Sequence, residues 1–400
     1  MSTKSMKLQK KDVLILLLLI ILLVVGTYWW TNYPLKVERA WYWVQYPLIK
    51  RSIHCSDQAP SFMHEIMLDT IKQQKTMSNQ VAYLSPNGQL HHCESGWEDG
   101  FMGERKITDH SRFLYASLTK VVTSAMILDL IDQEKIHLDQ PILEILPVPE
   151  PPQDPRIEQI TVEMLLQHSA GFDRQKTLTP MMNMGQKPWC PTQLNELANV
   201  KLDFEPNTQF KYSNLGYCLL GAIIEEVTGL SYRTAVEQKY QLSSYQMKFI
   251  NNDFLPDEIQ YDYRNENFYT EFWRSEFDFK DSLSAVGGLS GSATQLLRLI
   301  KKILDQQNAN ILQHSKIPCA NHIWDGCYGY AMDPYQATGQ TFTVYHRSGY
   351  FPGVGHDLFV DDRGGVLVIL RGATTAKHIS LNASREQIYK QLLKYYKTKL

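Results

Sequence analysis

The stretch Phe113-Leu-Tyr-Ala-Ser-Leu-Thr-Lys-Val-Val-Thr-Ser-Ala-Met-Ile-Leu most restricts what this chain can fold into. From Val121 to Ile131 its single charge is Asp129, so the segment reads as a buried helix that the rest of the chain must cover. Ser117 and Lys120 stand at its head, three residues apart. Positions i and i+3 of a helix share a face, so the hydroxyl and the amine point the same way. Burial strips water from the ammonium, lowers its pKa and lets it take the serine's proton. Ser-x-x-Lys arises often by chance, so a catalytic reading needs support from elsewhere in the chain.

A chain of 400 residues with 44% hydrophobic and 20% charged residues is globular, with a large core. The net charge of −2, with no basic block beyond the N-terminus, gives no sign of a nucleic-acid partner. Low-complexity tracts and internal repeats are absent from the sequence.

Val13 to Val25 is an unbroken apolar run, preceded by Lys4, Lys7, Lys10 and Lys11. It fits a signal peptide or a single transmembrane anchor. No small-residue cleavage site follows; Tyr28, Trp29 and Trp30 stand there as an interfacial aromatic belt would, which favours the anchor. Residues 1–32 are expected to be a cytoplasmic flank and anchor, 33–57 a juxtamembrane linker, and 58–400 an exported catalytic domain with its helical region at roughly 120–280. The protein would then be a single-pass protein of the cell membrane. Six cysteines fit an oxidising compartment. Cys319 with Cys327 is the first pairing to expect and Cys55 with Cys93 the second, while Cys218, in an apolar run, reads as a buried thiol. No Cys-x-x-Cys or His-x-x-x-His spacing suggests a metal.

Along the chain, a helix is expected over 61–75 and a hairpin around Pro86-Asn-Gly. A short helix should begin near Thr161, an apolar one should run from Leu215 to Val227, and another should follow the glycine-rich loop at Ala285. Four strands are expected at 328–332, 341–345, 355–360 and 365–370, before a last helix at 384–396. Strands at both chain ends with helices between predict an α+β fold. The terminal parts would form an antiparallel sheet flanked by helices, and the middle an all-helical region.

Two further constellations carry chemistry. In Phe210-Lys-Tyr-Ser-Asn-Leu-Gly-Tyr, Tyr212 beside a lysine can shuttle protons, and the Asn214 amide can bind a substrate carbonyl. An ordinary helix start accounts for the same residues. In Tyr345-His-Arg-Ser-Gly-Tyr-Phe-Pro-Gly, Arg347 and Ser348 offer a cation and a hydroxyl, and Gly349 lets another backbone approach. A strand ending in a turn is the plain alternative. Neighbours on a strand alternate faces, so His346 should point away from a site that Arg347 faces. His168 reads as a hydrogen-bonded turn residue, and His91, His92 and His356 as surface or structural.

Taken in order, Ser117-Leu-Thr-Lys120, Tyr212-Ser-Asn214 and Arg347-Ser-Gly349 resemble the three motifs of the serine β-lactamase-like family. That group includes class C β-lactamases, D-Ala-D-Ala carboxypeptidases and esterases. Leu165-Leu-Gln-His-Ser-Ala-Gly171 and Gly287-Gly-Leu-Ser290 extend the resemblance to about residues 60–398. It departs where Arg347 and Ser348 replace the usual Lys and Thr, and guanidinium and ammonium are not interchangeable. A class A glutamate, in a Glu-x-x-Leu-Asn run after Tyr212, has no match.

The resemblance implies a serine β-lactamase/transpeptidase-like fold and a serine hydrolase working through an acyl-enzyme. Ser117 would be the nucleophile, and Lys120 and Tyr212 the proton shuttle. Asn214, Arg347, Ser348 and Gly349 would bind substrate, and the backbone N–H groups of Ser117 and Tyr350 would hold the oxyanion. No cofactor is required. The substrate would be a small molecule or peptide, namely a β-lactam, a peptidoglycan-type peptide or a small ester, and no oligomeric state is implied. The rival expectation is a non-catalytic sensor or scaffold that keeps the fold.

Overall fold

The computed structural model describes residues 9–176, 185, 187–266, 272–306, 310–374 and 381–398. The chain divides into two compact units, one up to Leu48 and one from Ile49. The first contains α1 (Lys10–Asn32) and most of α2 (Pro34–Arg51). The most apolar 18-residue window of α1 has a mean hydropathy of 2.7, and no residue of the helix is buried. At about 1.5 Å per residue the helix is long enough to cross a hydrocarbon layer of roughly 30 Å.

Residues expected as a linker are therefore largely helical. Pro34 takes the first helical position, where its missing N–H matters least. The pattern was hard to read because Trp41, Val44 and Leu48 are exposed while Tyr42 and Gln45 are buried, the reverse of an ordinary surface helix.

Among the described residues the second unit has ten strands: β1 (His54–Cys55), β2 (Asn79–Leu84), β3 (Leu90–Ser95), β4 (Phe113–Leu114), β5 (Lys248–Phe249), β6 (Leu289–Gly291), β7 (Asp333–Tyr335), β8 (Val344–Phe351), β9 (Val354–Asp361) and β10 (Val366–Arg371). Seven of them form an antiparallel sheet in the order β1-β3-β2-β10-β9-β8-β7. The two chain ends meet where β2 pairs with β10, Val81 opposite Ile369. The other three make a small sheet, β4-β6-β5.

Helices α3 (Ser61–Gln74), α4 (Thr119–Asp132), α5 (Val162–Leu166), α6 (Asn214–Thr228), α7 (Tyr232–Tyr240), α8 (Phe272–Ser275), α9 (Ser284–Gly287), α10 (Ala293–Gln306) and α11 (Leu381–Lys397) complete the unit. α10 packs on β2 and β10, while α4 packs against α6 and α9 in the helical region. From Thr119 to Leu128 every residue of α4 is buried, as its composition demands. Its polar residues are all engaged. Thr123 Oγ1 donates to Ala285 O (2.6 Å), and Ser124 Oγ to Tyr330 O (2.7 Å).

Two expectations need correction. Residues 328–332 are not a strand, and the edge strand starts at Asp333. Tyr328 and Tyr330 turn instead toward the helical region, where the Tyr328 and Tyr217 hydroxyls are 3.1 Å apart. Cys218 is not a free thiol, for it bonds to Cys190, whose approach from a distant loop leaves no spacing signal. Cys55–Cys93 and Cys319–Cys327 are bonded as expected.

Candidate active site

Ser117 lies in a single 3-10 turn, Ala116–Leu118, that leads into α4. Tyr115 N donates to Leu289 O (2.8 Å), which ties the start of this turn to β6, and Ala116 has φ +49. Lys120 is fully buried, one turn further on. Its Nζ donates to Val286 O (2.8 Å) and to Ser117 Oγ (3.2 Å). Burial is the main influence on Lys120; it outweighs the opposing pull of Tyr212 and brings the amine down to about 8.

Tyr212 comes from the loop ahead of α6, and its hydroxyl is 2.8 Å from Ser117 Oγ. Burial opposes ionisation of the phenol, but the charges of Lys120 and Arg347 outweigh it and pull it down to about 7. Arg347, on β8, reaches the same point. Its Nη2 donates to the Tyr212 hydroxyl (3.0 Å) and its Nε to Ser117 O (3.2 Å). The guanidinium fork thus spans serine and tyrosine, a geometry that a point-like ammonium cannot supply.

Ser117, Tyr212 and Arg347 share the wall of a cavity of about 720 Å³ with Asn214, Ser348, Gly349 and Tyr350, and Lys120 lies buried behind it. Asn214 opens α6, and its Oδ1 is buried without a partner among the described residues. A Cβ on Gly349 would lie 2.5 Å from Tyr115 O, so only glycine lets β8 pack this closely against the serine turn. β7 pairs with β8 only as far as His346, so no described strand covers the outer edge of 347–351. β8 packs against the Ser117 turn, and Tyr350 is among the residues of this stretch.

His346 is buried and donates from Nε2 to Asp357 Oδ1 (2.9 Å), a packed strand residue rather than a lining one. His356 is structural too, donating to Leu114 O (2.7 Å) and accepting from Arg371 N (3.0 Å).

Sequence reasoning missed the far end of the cavity. Asp325, Asp333, Asp357, Arg371 and Arg385 line it. Arg371 Nη1 donates to Asp357 Oδ2 (2.6 Å) and Arg385 Nη1 to Asp325 Oδ2 (2.5 Å). Burial, with the nearby charge of Asp325, pushes Asp333 up to about 7. Arg174, which sets its guanidinium 5.3 Å from the Tyr212 ring centre, was also missed. Each comes from a separate stretch, so no local spacing announced them. Among the described residues no group of three or more His, Cys, Asp or Glu is placed to hold a metal.

The beta-lactamase family model matches residues 68–380. The chain belongs to this family. A relative from Dichelobacter nodosus that carries the name fimbrial assembly protein FimD, serogroup D, is 49% identical over 92% of this chain and 93% of its own length. D-amino acid amidase from Ochrobactrum anthropi, solved with D-phenylalanine, superposes with a TM-score of 0.66 at 18% identity, over 85% of this chain and 99% of that one. A class C beta-lactamase from Rhodobacter sphaeroides gives a TM-score of 0.64 at 15% identity, over 84% and 99%. The α+β fold is that of the serine β-lactamases and transpeptidases, as the three motifs implied. The family comprises serine hydrolases and acyltransferases; at such low identity the solved neighbours speak for the fold alone.

Proposed function

We propose that this protein is a membrane-anchored serine hydrolase that cleaves an amide or ester through an acyl-enzyme on Ser117. One observation carries the reading: Ser117 Oγ sits 2.8 Å from the Tyr212 hydroxyl and 3.2 Å from Lys120 Nζ at the wall of an open cavity. Tyr212, held near 7 beside two cations, takes the Ser117 proton as Oγ attacks the carbonyl. The same phenol returns the proton to the departing nitrogen or oxygen. Water then enters, gives its proton to the Tyr212–Lys120 pair and releases the acid. The N–H groups of Ser117 and Tyr350 hold the oxyanion, each worth about 3 kcal/mol of transition-state stabilisation. Arg347 fixes the phenol over the serine, while Asn214, Ser348 and the free edge at Gly349 receive the substrate. No step calls for a cofactor.

The substrates that suit this machinery are β-lactams, peptidoglycan-type peptides and small esters. α1 anchors the chain, and its three disulfides suit a domain on the exported side. Exposing the full chain to a fluorophosphonate or fluorescent β-lactam should label Ser117, with no label on Ser117→Ala. A screen with nitrocefin, p-nitrophenyl esters and D-Ala-D-Ala peptides then ranks substrates. A second reading, a non-catalytic scaffold in fimbrial assembly, rests on the name of the relatives at 49% identity. An unlabelled wild-type protein would decide for the scaffold.

A further inference from the structure

Tyr212 lies in a segment without regular structure, residues 209–213, yet its hydroxyl must stay within hydrogen-bond reach of Ser117. Arg174 N donates to the Tyr212 carbonyl (3.3 Å), and the residues on either side of Tyr212 are held by His168, in the turn after α5. The His168 carbonyl accepts from Lys211 N (2.9 Å), and its ring Nδ1 accepts from Ser213 N (3.2 Å). These are the two backbone N–H groups that flank Tyr212. The imidazole also packs directly on the Tyr212 ring, with centres 4.5 Å apart, and is backed by Tyr217 and Tyr328 at 4.9 and 4.7 Å. His168 itself is buried and holds a left-handed backbone, φ +54.

We propose that His168 is a positioning residue that clamps the backbone on both sides of Tyr212 and so aims its hydroxyl at Ser117. This rests on the hydrolase reading above. His168 makes no hydrogen bond to Ser117 or Lys120, and its one ring acceptor is already committed to Ser213. It is therefore no rival base. Because Nδ1 accepts an amide proton, the ring proton sits on Nε2, which has no partner among the described residues. Burial, and the charges of Arg347, Lys120 and Arg174, hold the imidazole neutral, so the acceptor persists across the working pH range. Removing the Nδ1 acceptor frees Ser213 N and lets Tyr212 swing. A displacement of about 1 Å is enough to lose on the order of 10²-fold in rate.

The test compares His168→Phe, which keeps a ring but no acceptor, with His168→Asn, whose amide oxygen can accept from Ser213 N and which tolerates a left-handed backbone. Each is made in the full chain and titrated with fluorophosphonate, so that rates refer to reactive sites. His168→Phe should lower kcat on the best ester by roughly 10-fold or more, with KM nearly unchanged, and His168→Asn should recover most of it. In a Tyr212→Phe background, His168→Phe should have almost no further effect, because it acts through the phenol. A wild-type protein that takes no label overturns the hydrolase reading and this inference with it. A labelled wild type whose His168→Phe variant keeps full kcat overturns the clamp alone, as does a double variant whose losses multiply.

Discussion

Replacing Tyr212 by phenylalanine removes one oxygen from the centre of the site. Ser117 Oγ loses a partner at 2.8 Å, Arg347 loses one at 3.0 Å, and Lys120 at 3.2 Å is left as the only base. A general acid–base group contributes about 10²–10⁴-fold, or roughly 3–5 kcal/mol of barrier, and kcat should fall by that much. The pH profile gives a sharper test. In the wild type the pair gives up its first proton between about 7 and about 8, so kcat/KM should rise with pH through that window. Tyr212 raises the Lys120 pKa against the effect of burial, so without it the amine goes down further. Lys120 acts as a base only when neutral, so the residual activity of Tyr212→Phe should extend to lower pH.

Stability has a sign as well. The folded-state phenol is depressed from 10.0 to about 7, so its contribution is complete above pH 10 and is lost as pH falls through 7. The stability gap between wild type and Tyr212→Phe, wild type the more stable, should therefore be smallest near pH 6 and widen as pH rises. The assay is kcat/KM from pH 5 to 10 on the best ester, beside denaturant melts over the same range. Wild-type turnover, or an acid limb that stays in place, refutes the shared proton and leaves Lys120 as sole base.

Four further outcomes can be checked. Gly349→Ala drives a Cβ to 2.5 Å from Tyr115 O and 3.0 Å from Leu118 Cγ; it should destabilise the fold by about 1–3 kcal/mol and slow fluorophosphonate labelling at least 10-fold. Arg347→Lys keeps the charge but cannot span Ser117 O and the Tyr212 hydroxyl together, so kcat should fall about 10-fold or more with the melting temperature little changed. Cys190→Ser with Cys218→Ser opens a bridge between residues 28 apart, and denaturant melts should show a loss of about 3 kcal/mol. A reporter fused after Leu400 should work only if it is a type active outside the cytoplasm; activity of a cytoplasmic reporter there sinks the anchor and the disulfide argument together.

Much of this was legible in the sequence because the deciding patterns are local. The apolar run behind Ser117 had to be a covered helix, and Pro86-Asn-Gly between β2 and β3 had to be a turn. Patterns broke down where burial depended on distant partners. Tyr328 to Met332 alternates like a strand, but its tyrosines fill the helical region instead of a sheet face. α2 escaped because its apolar face is the exposed one. Cys190 meets Cys218 only through the path of an intervening loop, and the Asp357–Arg371 and Asp325–Arg385 pairs join residues with no common motif.

The three motifs were weak one by one because each names only its own atoms, whereas the contacts between them hold the site. Arg347 shows this best. Its type and position suggested a cation offered to substrate, yet two of its donors are turned inward, to Tyr212 and Ser117 O. That inward grip requires β8 to lie against the serine turn, which requires Gly349 beside Tyr115 O. It equally requires Tyr212 to be fixed from behind, which His168 does through Lys211 and Ser213. A strand, a helix head, a loop and a turn therefore constrain one another at a single hydroxyl. A change to any of them should reach Ser117 through the Tyr212 oxygen, and for that reason the pH profile of Tyr212 variants is the measurement on which the other substitutions are best read.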